Sequence, residues 1–165
     1  MLLEIEQLDA TGTLKRERFD AETLILRALS KTLADEAQLG IEIAENFTIN
    51  GDPDYLALAL KNLIDNALKY ATATPVTIRA EAGTICVCNR GEPLDAGLQQ
   101  LLEPFARAEN ARGSSGFGLG LSIIRKVLDR HKLTLSYRYE AGMHRFCIPF
   151  YDTLQPTSSS SVVPE

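Results

Sequence analysis

Two asparagines one helical turn apart, Asn62 and Asn66, followed by Lys69, are the first residues of this 165-residue chain whose types and spacing suit chemistry. At 100° per residue they share one stripe of a helix, while Leu56, Leu60, Leu63, Ala67 and Ala71 form another that must face a core. Asn is unfavourable inside a helix because its amide competes for backbone hydrogen bonds, so a pair at this spacing is a local inconsistency of the kind found at sites. Two amide oxygens with an ammonium beyond them suit a hydrated Mg²⁺ bridging phosphates, since Mg²⁺ keeps waters and takes few protein oxygens. Two solvated amides on an exposed face are the plain alternative.

A second stretch, Gly113-Ser114-Ser115-Gly116-Phe117-Gly118-Leu119-Gly120-Leu121, places glycines where a helix begins. Backbone without side chains approaches a ligand closely, and the free N–H groups at a helix start attract phosphate. A flexible turn is the alternative. No Lys-Ser or Lys-Thr follows the last glycine, as a Walker loop requires, and a polar loop rather than a strand precedes it, which excludes the dinucleotide fingerprint. Arg107 and Arg112 lie in the same loop, where guanidinium groups can grip phosphate oxygens in two-pronged fashion; singly, each reads as a solvated charge. A third stretch, Cys88-Asn89-Arg90-Gly91-Glu92-Pro93-Leu94, turns at the end of a strand. The Asn89 oxygen could accept from an adenine amino group there, or Asn89 could simply form the turn.

The elements that must position these residues follow from periodicity and punctuation. Met1, Leu2, Ile5 and Leu8 read as the last turns of a helix whose earlier part is missing, broken at Thr11-Gly12-Thr13. A helix is expected over 21–38, with Leu24, Leu29 and Leu33 apolar and Gly40 ending it, then a strand at Ile41-Glu42-Ile43. Asp52 caps and Pro53 opens the helix of the two asparagines, expected to reach about Ala71. Strands are expected at 75–81 and 84–89, a short helix at 96–102, a polar loop at 103–117, a helix at 118–130, and strands at 133–139 and 144–150 around Gly142. So long a loop inside a domain is a candidate lid, expected to be poorly ordered without nucleotide; residues 151–165, rich in Ser and Pro, read as a disordered tail.

Composition bounds the function class. With 45% hydrophobic and 24% charged residues the chain can bury a core without staples. A net charge of -5 argues against a broad nucleic-acid footprint. Neither a membrane-spanning apolar run nor a signal peptide is visible, so the chain as written reads as cytosolic. Cys86, Cys88 and Cys147 have no metal-site spacing and are expected to be free, buried thiols, with Cys86 and Cys88 on one face of a central strand and Ile85 and Val87 on the other.

Taken jointly, Asn62 to Tyr70, the Asn89-to-Leu94 turn, Glu103-Pro104-Phe105-Ala106-Arg107 and Gly116-Phe117-Gly118-Leu119-Gly120-Leu121 resemble the N, G1, F and G2 boxes of the catalytic ATP-binding domains of bacterial two-component sensor histidine kinases. Ala141-Gly142-Met143-His144-Arg145-Phe146, with Pro149 after it, is similar to the closing glycine motif, so the resemblance covers about residues 14–150. It implies an α/β (α+β) two-layer sandwich of the Bergerat type, a mixed sheet with helices on one face and ATP on the other beneath a lid. The domains would be a dimerisation-helix end (1–10), the catalytic ATP-binding domain (11–150) and the tail (151–165).

By the same resemblance Asn66, with Asn62, would hold Mg²⁺, while Lys69, Tyr70, Arg107 and Arg112 would meet the phosphates or their surroundings, Lys69 and Arg107 catalytically. Asn89 and Gly91, with Leu94, would form the adenine end; Gly116, Phe117, Gly118, Leu119, Gly120 and Leu121 the phosphate end; and Phe105 the lid anchor. The implied partners are a dimerisation domain carrying the phospho-accepting histidine, a response regulator and a second copy of the kinase. The implied setting is the cytoplasmic side of the inner membrane.

The chain departs from the family pattern in two places. Asn89 stands where Asp is usual, and Pro93 where a second glycine is common; a neutral acceptor lacks charge assistance, so weaker ATP binding is expected. Neither His131 nor His144 has the setting of a phospho-acceptor, and both are expected to be structural, so the chain alone should not autophosphorylate. In related hydrolytic ATPases a Glu one turn before the metal-binding Asn activates water; here that position is Asn62, which favours a kinase. A serine kinase of the anti-sigma type and a nucleotide-binding module without transfer activity are the alternatives.

Overall fold

The computed structural model describes residues 14–32, 35–93 and 117–150. The expected helix end at 1–8, Leu33, the short helix at 96–102, the loop with Leu94, Phe105, Arg107, Arg112 and Gly116, and the tail lie outside the described residues.

The chain opens with strand β1 (Glu17–Asp20) and helix α1 (Ala21–Leu29). The Asp20 carboxylate accepts the Thr23 N–H at 2.8 Å and caps α1, which buries Ala21, Leu24, Ile25 and Ala28 along one stripe. The helix stops at Leu29, short of the expected 38: the Ser30 hydroxyl donates to the Arg27 carbonyl at 2.7 Å, and Lys31 and Thr32 donate to carbonyls three residues back, a tightening that closes the last turn. A short 3₁₀ turn (Glu36–Gln38) leads into β2 (Leu39–Ile43), so Gly40 lies within a strand rather than ending a helix. Strand β3 (Thr48–Gly51) pairs antiparallel with β1 in a small two-stranded sheet that local patterning does not reveal, because two four-residue strands stabilise only each other.

Helix α2 (Pro53–Tyr70) begins as expected: the Asp52 carboxylate accepts the N–H groups of Asp54 and Tyr55, and Pro53 takes the first helical position. Strands β4 (Ala73–Glu81) and β5 (Thr84–Arg90), helix α3 (Phe117–Arg130), and strands β6 (Ser136–Glu140) and β7 (Met143–Pro149) complete the described elements. The main sheet runs β2-β4-β5-β7-β6, with β2 parallel to β4 and every other pair antiparallel. Ala82-Gly83 and Ala141-Gly142 close the β4–β5 and β6–β7 hairpins, with positive φ at all four residues, the geometry that two-residue hairpin turns require.

Val76, Ile78, Ala80, Ile85, Val87, Phe146 and Ile148 alternate along β4, β5 and β7 and join Leu60, Leu63, Ile64, Ile123, Ile124, Val127 and Leu128 of α2 and α3 in one core. The result is a mixed sheet with helices on one face, the expected two-layer arrangement. Strand β5 is central, as its two-sided apolar pattern predicts.

The cysteines differ from expectation. Cys86 and Cys147 face each other across β5 and β7 and form a disulfide, leaving Cys88 as the free, buried thiol. Residues 61 positions apart carry no spacing signal of their pairing; the strand register alone brings them together.

Candidate functional site

Helix α2 carries the two asparagines into the interior rather than to water: Asn62 is 5% and Asn66 8% exposed. The Asn62 amide donates to the Leu58 carbonyl at 2.9 Å, four residues back, the local bond that such side chains make inside a helix. The Asn66 amide nitrogen has no such partner, and it is the one buried side-chain nitrogen or oxygen without a hydrogen bond among the described residues. A buried donor left unpaired costs about 1–3 kcal/mol, a penalty that a ligand oxygen would remove. Rotation of the amide exchanges its nitrogen and oxygen, so Asn66 can present a donor to a phosphate or metal-bound water, or an oxygen to a cation. The residues present therefore fit a hydrated Mg²⁺ with phosphate. Lys69, on the same stripe by helical spacing, is exposed, with its ammonium 5.7 Å from the Tyr70 ring centre.

The Asn89-to-Pro93 turn meets the C-terminal end of this helix. The Thr72 N–H donates to the Arg90 carbonyl at 2.8 Å, and a Cβ placed on Gly91 would lie 2.9 Å from the Tyr70 carbonyl oxygen. No side chain fits at Gly91, which is why glycine stands there. Asn89, 2% exposed, shares its face of β5 with Ile85 and Val87, on the helix side of the sheet. Its amide nitrogen donates to the Arg90 carbonyl at 3.2 Å.

Helix α3 packs against α2 and begins at Phe117, inside the glycine motif, so Gly118 and Gly120 lie in its first turn, where backbone N–H groups have no helical partner. The structure thus places Asn62, Asn66 and Tyr70 along α2 and Asn89 and Gly91 at the end of β5, with the Gly91 turn against the Tyr70 carbonyl and α3 packed on α2. The opposite face of the sheet carries Thr77, Arg79, Cys86, Cys88, Arg145 and Cys147, alternating with the core residues. The candidate residues hence lie on the helix side, which corrects the expectation of a nucleotide on the face away from the helices. Leu94, Phe105, Arg107, Arg112 and Gly116 fall outside the described residues, as do the side chains of Phe117, Leu119 and Leu121.

Two histidines, expected to be structural, are bound on both ring nitrogens. His131 follows α3 and is 2% exposed; its Nδ1 donates to the Val127 carbonyl at 2.8 Å, so Nε2 is free to accept the Asp52 N–H at 3.0 Å. Burial holds its pKa below the usual 6.5, against the raising effect of the Val127 bond. His144, paired with Asn89 across β5 and β7, reaches the turn: its Nε2 donates to the Glu92 carbonyl at 2.8 Å, and its Nδ1 accepts the Tyr137 hydroxyl at 2.8 Å. The Tyr139 hydroxyl donates to the Gly91 carbonyl at 3.1 Å. Burial pushes the Tyr137 pKa up, which keeps that hydroxyl a donor. Sequence reasoning missed these contacts, since only the strand register shows that β6 and β7 back the turn.

A model of the histidine kinase-, DNA gyrase B- and HSP90-like ATPases matches residues 51–154. The chain is 33% identical over 159 residues to the sensor histidine kinase ArsS of Helicobacter pylori, covering 92% of this chain and 37% of the relative. It is also 33% identical over 137 residues to the probable sensor protein PcoS of Escherichia coli, covering 76% and 29%. This chain therefore spans about a third of the length of these relatives. Among solved structures, the Acinetobacter baumannii histidine kinase AdeS shares the fold with a TM-score of 0.64 at 24% identity, over 89% of this chain and 70% of that one.

Proposed function

The chain belongs to the histidine kinase-, DNA gyrase B- and HSP90-like ATPases, as an ATP-binding catalytic domain of the sensor histidine kinase kind, and from that premise we propose that it binds Mg·ATP and passes the γ-phosphoryl group to a histidine on a dimerisation domain. In that transfer an imidazole nitrogen attacks the γ-phosphorus, a P–N bond forms, and the bond to the departing ADP oxygen breaks. The phosphohistidine then serves an aspartate on a response regulator. The working assembly is a homodimeric sensor at the inner membrane, with this domain on its cytoplasmic side. No described helix is long and apolar enough to cross a membrane.

One observation carries the reading. The buried, unpartnered Asn66 amide lies on the helix whose C-terminal end meets the Gly91 turn, so a donor in need of an anion and an acceptor suited to adenine share one side of the sheet. Asn66, with Asn62, holds Mg²⁺, which when bound supplies neutralising charge at the phosphates. Lys69, Tyr70, Arg107 and Arg112 serve the phosphate region, and the first turn of α3 offers its N–H groups to phosphate oxygens. Asn62, already bonded to the Leu58 carbonyl, contributes no carboxylate base for water, which favours transfer over hydrolysis. His131 and His144 are buried and bonded on both nitrogens, so the accepting histidine comes from elsewhere.

A second reading, a nucleotide-binding module without transfer activity, is favoured by Asn89 and Pro93 at the adenine turn. Titration calorimetry with ATP, with and without Mg²⁺, beside Asn66→Ala tests the site: Mg²⁺-dependent binding that the substitution removes is expected, and no binding at millimolar ATP would overturn both readings. Phosphorylation of a separately supplied histidine-bearing dimerisation domain would then decide for the kinase, and its failure for the module.

A further inference from the structure

The turn that would seat adenine is not held by its own residues. Two successive carbonyls in it, Gly91 and Glu92, accept bonds from Tyr139 and His144, which come from β6 and β7 and are some fifty residues away in sequence. The Gly91 N–H completes the frame by donating to the Gly142 carbonyl in the β6–β7 hairpin at 3.2 Å. His144 cannot drift. It is 2% exposed, its ring centre lies 4.6 Å from that of Tyr139 and 5.9 Å from that of Tyr137, and the Tyr137 hydroxyl bonds its second nitrogen. A carbonyl can only accept, so Nε2 carries the hydrogen toward Glu92, and Nδ1 is left to accept from Tyr137. The turn itself has little to stiffen it: Gly91 lacks a side chain, and Glu92 and Pro93 are exposed.

We propose that His144, oriented by Tyr137 and assisted by Tyr139, is a positioning residue that fixes the Gly91–Glu92 backbone so that Asn89 and Gly91 are pre-set to receive the adenine base. The proposal rests on the reading of this site as an ATP site. A loop ordered before binding saves the ligand the entropy of ordering it, and that saving belongs to the base end alone. The phosphate end, at Asn66 and the start of α3, makes no use of the strut.

The test is calorimetric ATP titration of the full chain and of His144→Leu, His144→Gln and Tyr139→Phe, each checked by circular dichroism. Inorganic tripolyphosphate serves as the competitor that lacks a base. His144→Leu should weaken ATP about tenfold, as expected when buried partners lose their bonds. His144→Gln, whose amide nitrogen can take the place of Nε2, should recover most of that loss. Tyr139→Phe, which removes a single hydroxyl, should weaken ATP about threefold and serves if His144→Leu fails to fold. Tripolyphosphate should compete equally well with each. Unchanged ATP affinity in His144→Leu and Tyr139→Phe overturns the proposal, as does equal loss in the Leu and Gln variants or a parallel loss for tripolyphosphate. An unsubstituted chain that binds no ATP refutes instead the nucleotide reading beneath it.

Discussion

The backbone N–H of Asp52 donates to His131 Nε2 at 3.0 Å, tying the start of the helix that carries Asn62 and Asn66 to the end of the helix that begins in the glycine motif. Two helices that must keep a fixed offset if they are to share a ligand are thereby joined at the end away from it. Gly51 makes the approach possible, because a Cβ there would stand 2.9 Å from the His131 ring and 2.8 Å from the Leu56 side chain.

The burial of His131 predicts a pH dependence. The unfolded chain protonates His131 near 6.5, whereas burial lowers its pKa in the fold, so below that pH the unfolded state binds more protons and stability falls. The stability that the neutral ring provides is full above pH 6.5 and declines as the pH drops toward the lowered native value. Urea unfolding at a series of pH values should show this slope, and His131→Asn should flatten it. An identical slope in the variant would assign the effect to another group.

Gly51→Ala should destabilise the fold by about 1–3 kcal/mol, because the His131 ring is bonded on both sides and cannot move aside. A lowered urea midpoint with an unchanged m-value is the expected signature; no shift would mean that Leu56 and the ring yield freely.

Asp52→Ala should cost about 1–2 kcal/mol, since one carboxylate accepts the N–H groups of Asp54 and Tyr55 and also that of Lys15 at 2.9 Å. Asp52→Asn keeps an acceptor and should recover part of the loss in the same denaturation experiment.

Asn89→Asp should tighten ATP binding, because a charged acceptor roughly doubles the strength of a hydrogen bond to the adenine amino group. The gain should stay below about tenfold, because the carboxylate gives up the bond that the Asn89 amide donates to the Arg90 carbonyl. Unchanged or weaker affinity by calorimetry would refute the account of Asn89 as a weakened acceptor.

The cysteines should label in a fixed order. An alkylating reagent should leave the native chain unmodified, since Cys86 and Cys147 are paired and Cys88 is buried, with a thiol pKa raised by that burial. Unfolding without reductant should expose one thiol and unfolding with it all three, as read by intact mass. Reduction should lower stability by up to about 4 kcal/mol, the chain-entropy value for a loop closed between residues 61 apart. Three labels without reductant would show that the pair is not formed.

Much of this molecule is written in local pattern. The cap at Asp52 and Pro53, the apolar stripe of α2, the two-sided character of β5 and the hairpin at Gly142 are each legible within a few residues, because capping, helical period and turn chemistry act at short range. The amide pair, the adenine-type turn and the glycine run before α3 were readable for the same reason. The sequence by itself determined the family and most of the elements in their order, but not β1, β3 or the end of α1. Only the tertiary structure decided that Asn62 and Asn66 are buried and lie on the helix side of the sheet, that β1 pairs with β3, that Cys86 meets Cys147, that His131 joins the two helices at the end away from the site, and that His144 braces the Gly91–Glu92 turn. Each of these depends on residues brought together across a long stretch of chain by strand register and helix packing, and such contacts leave no periodic trace in the neighbourhood of either partner.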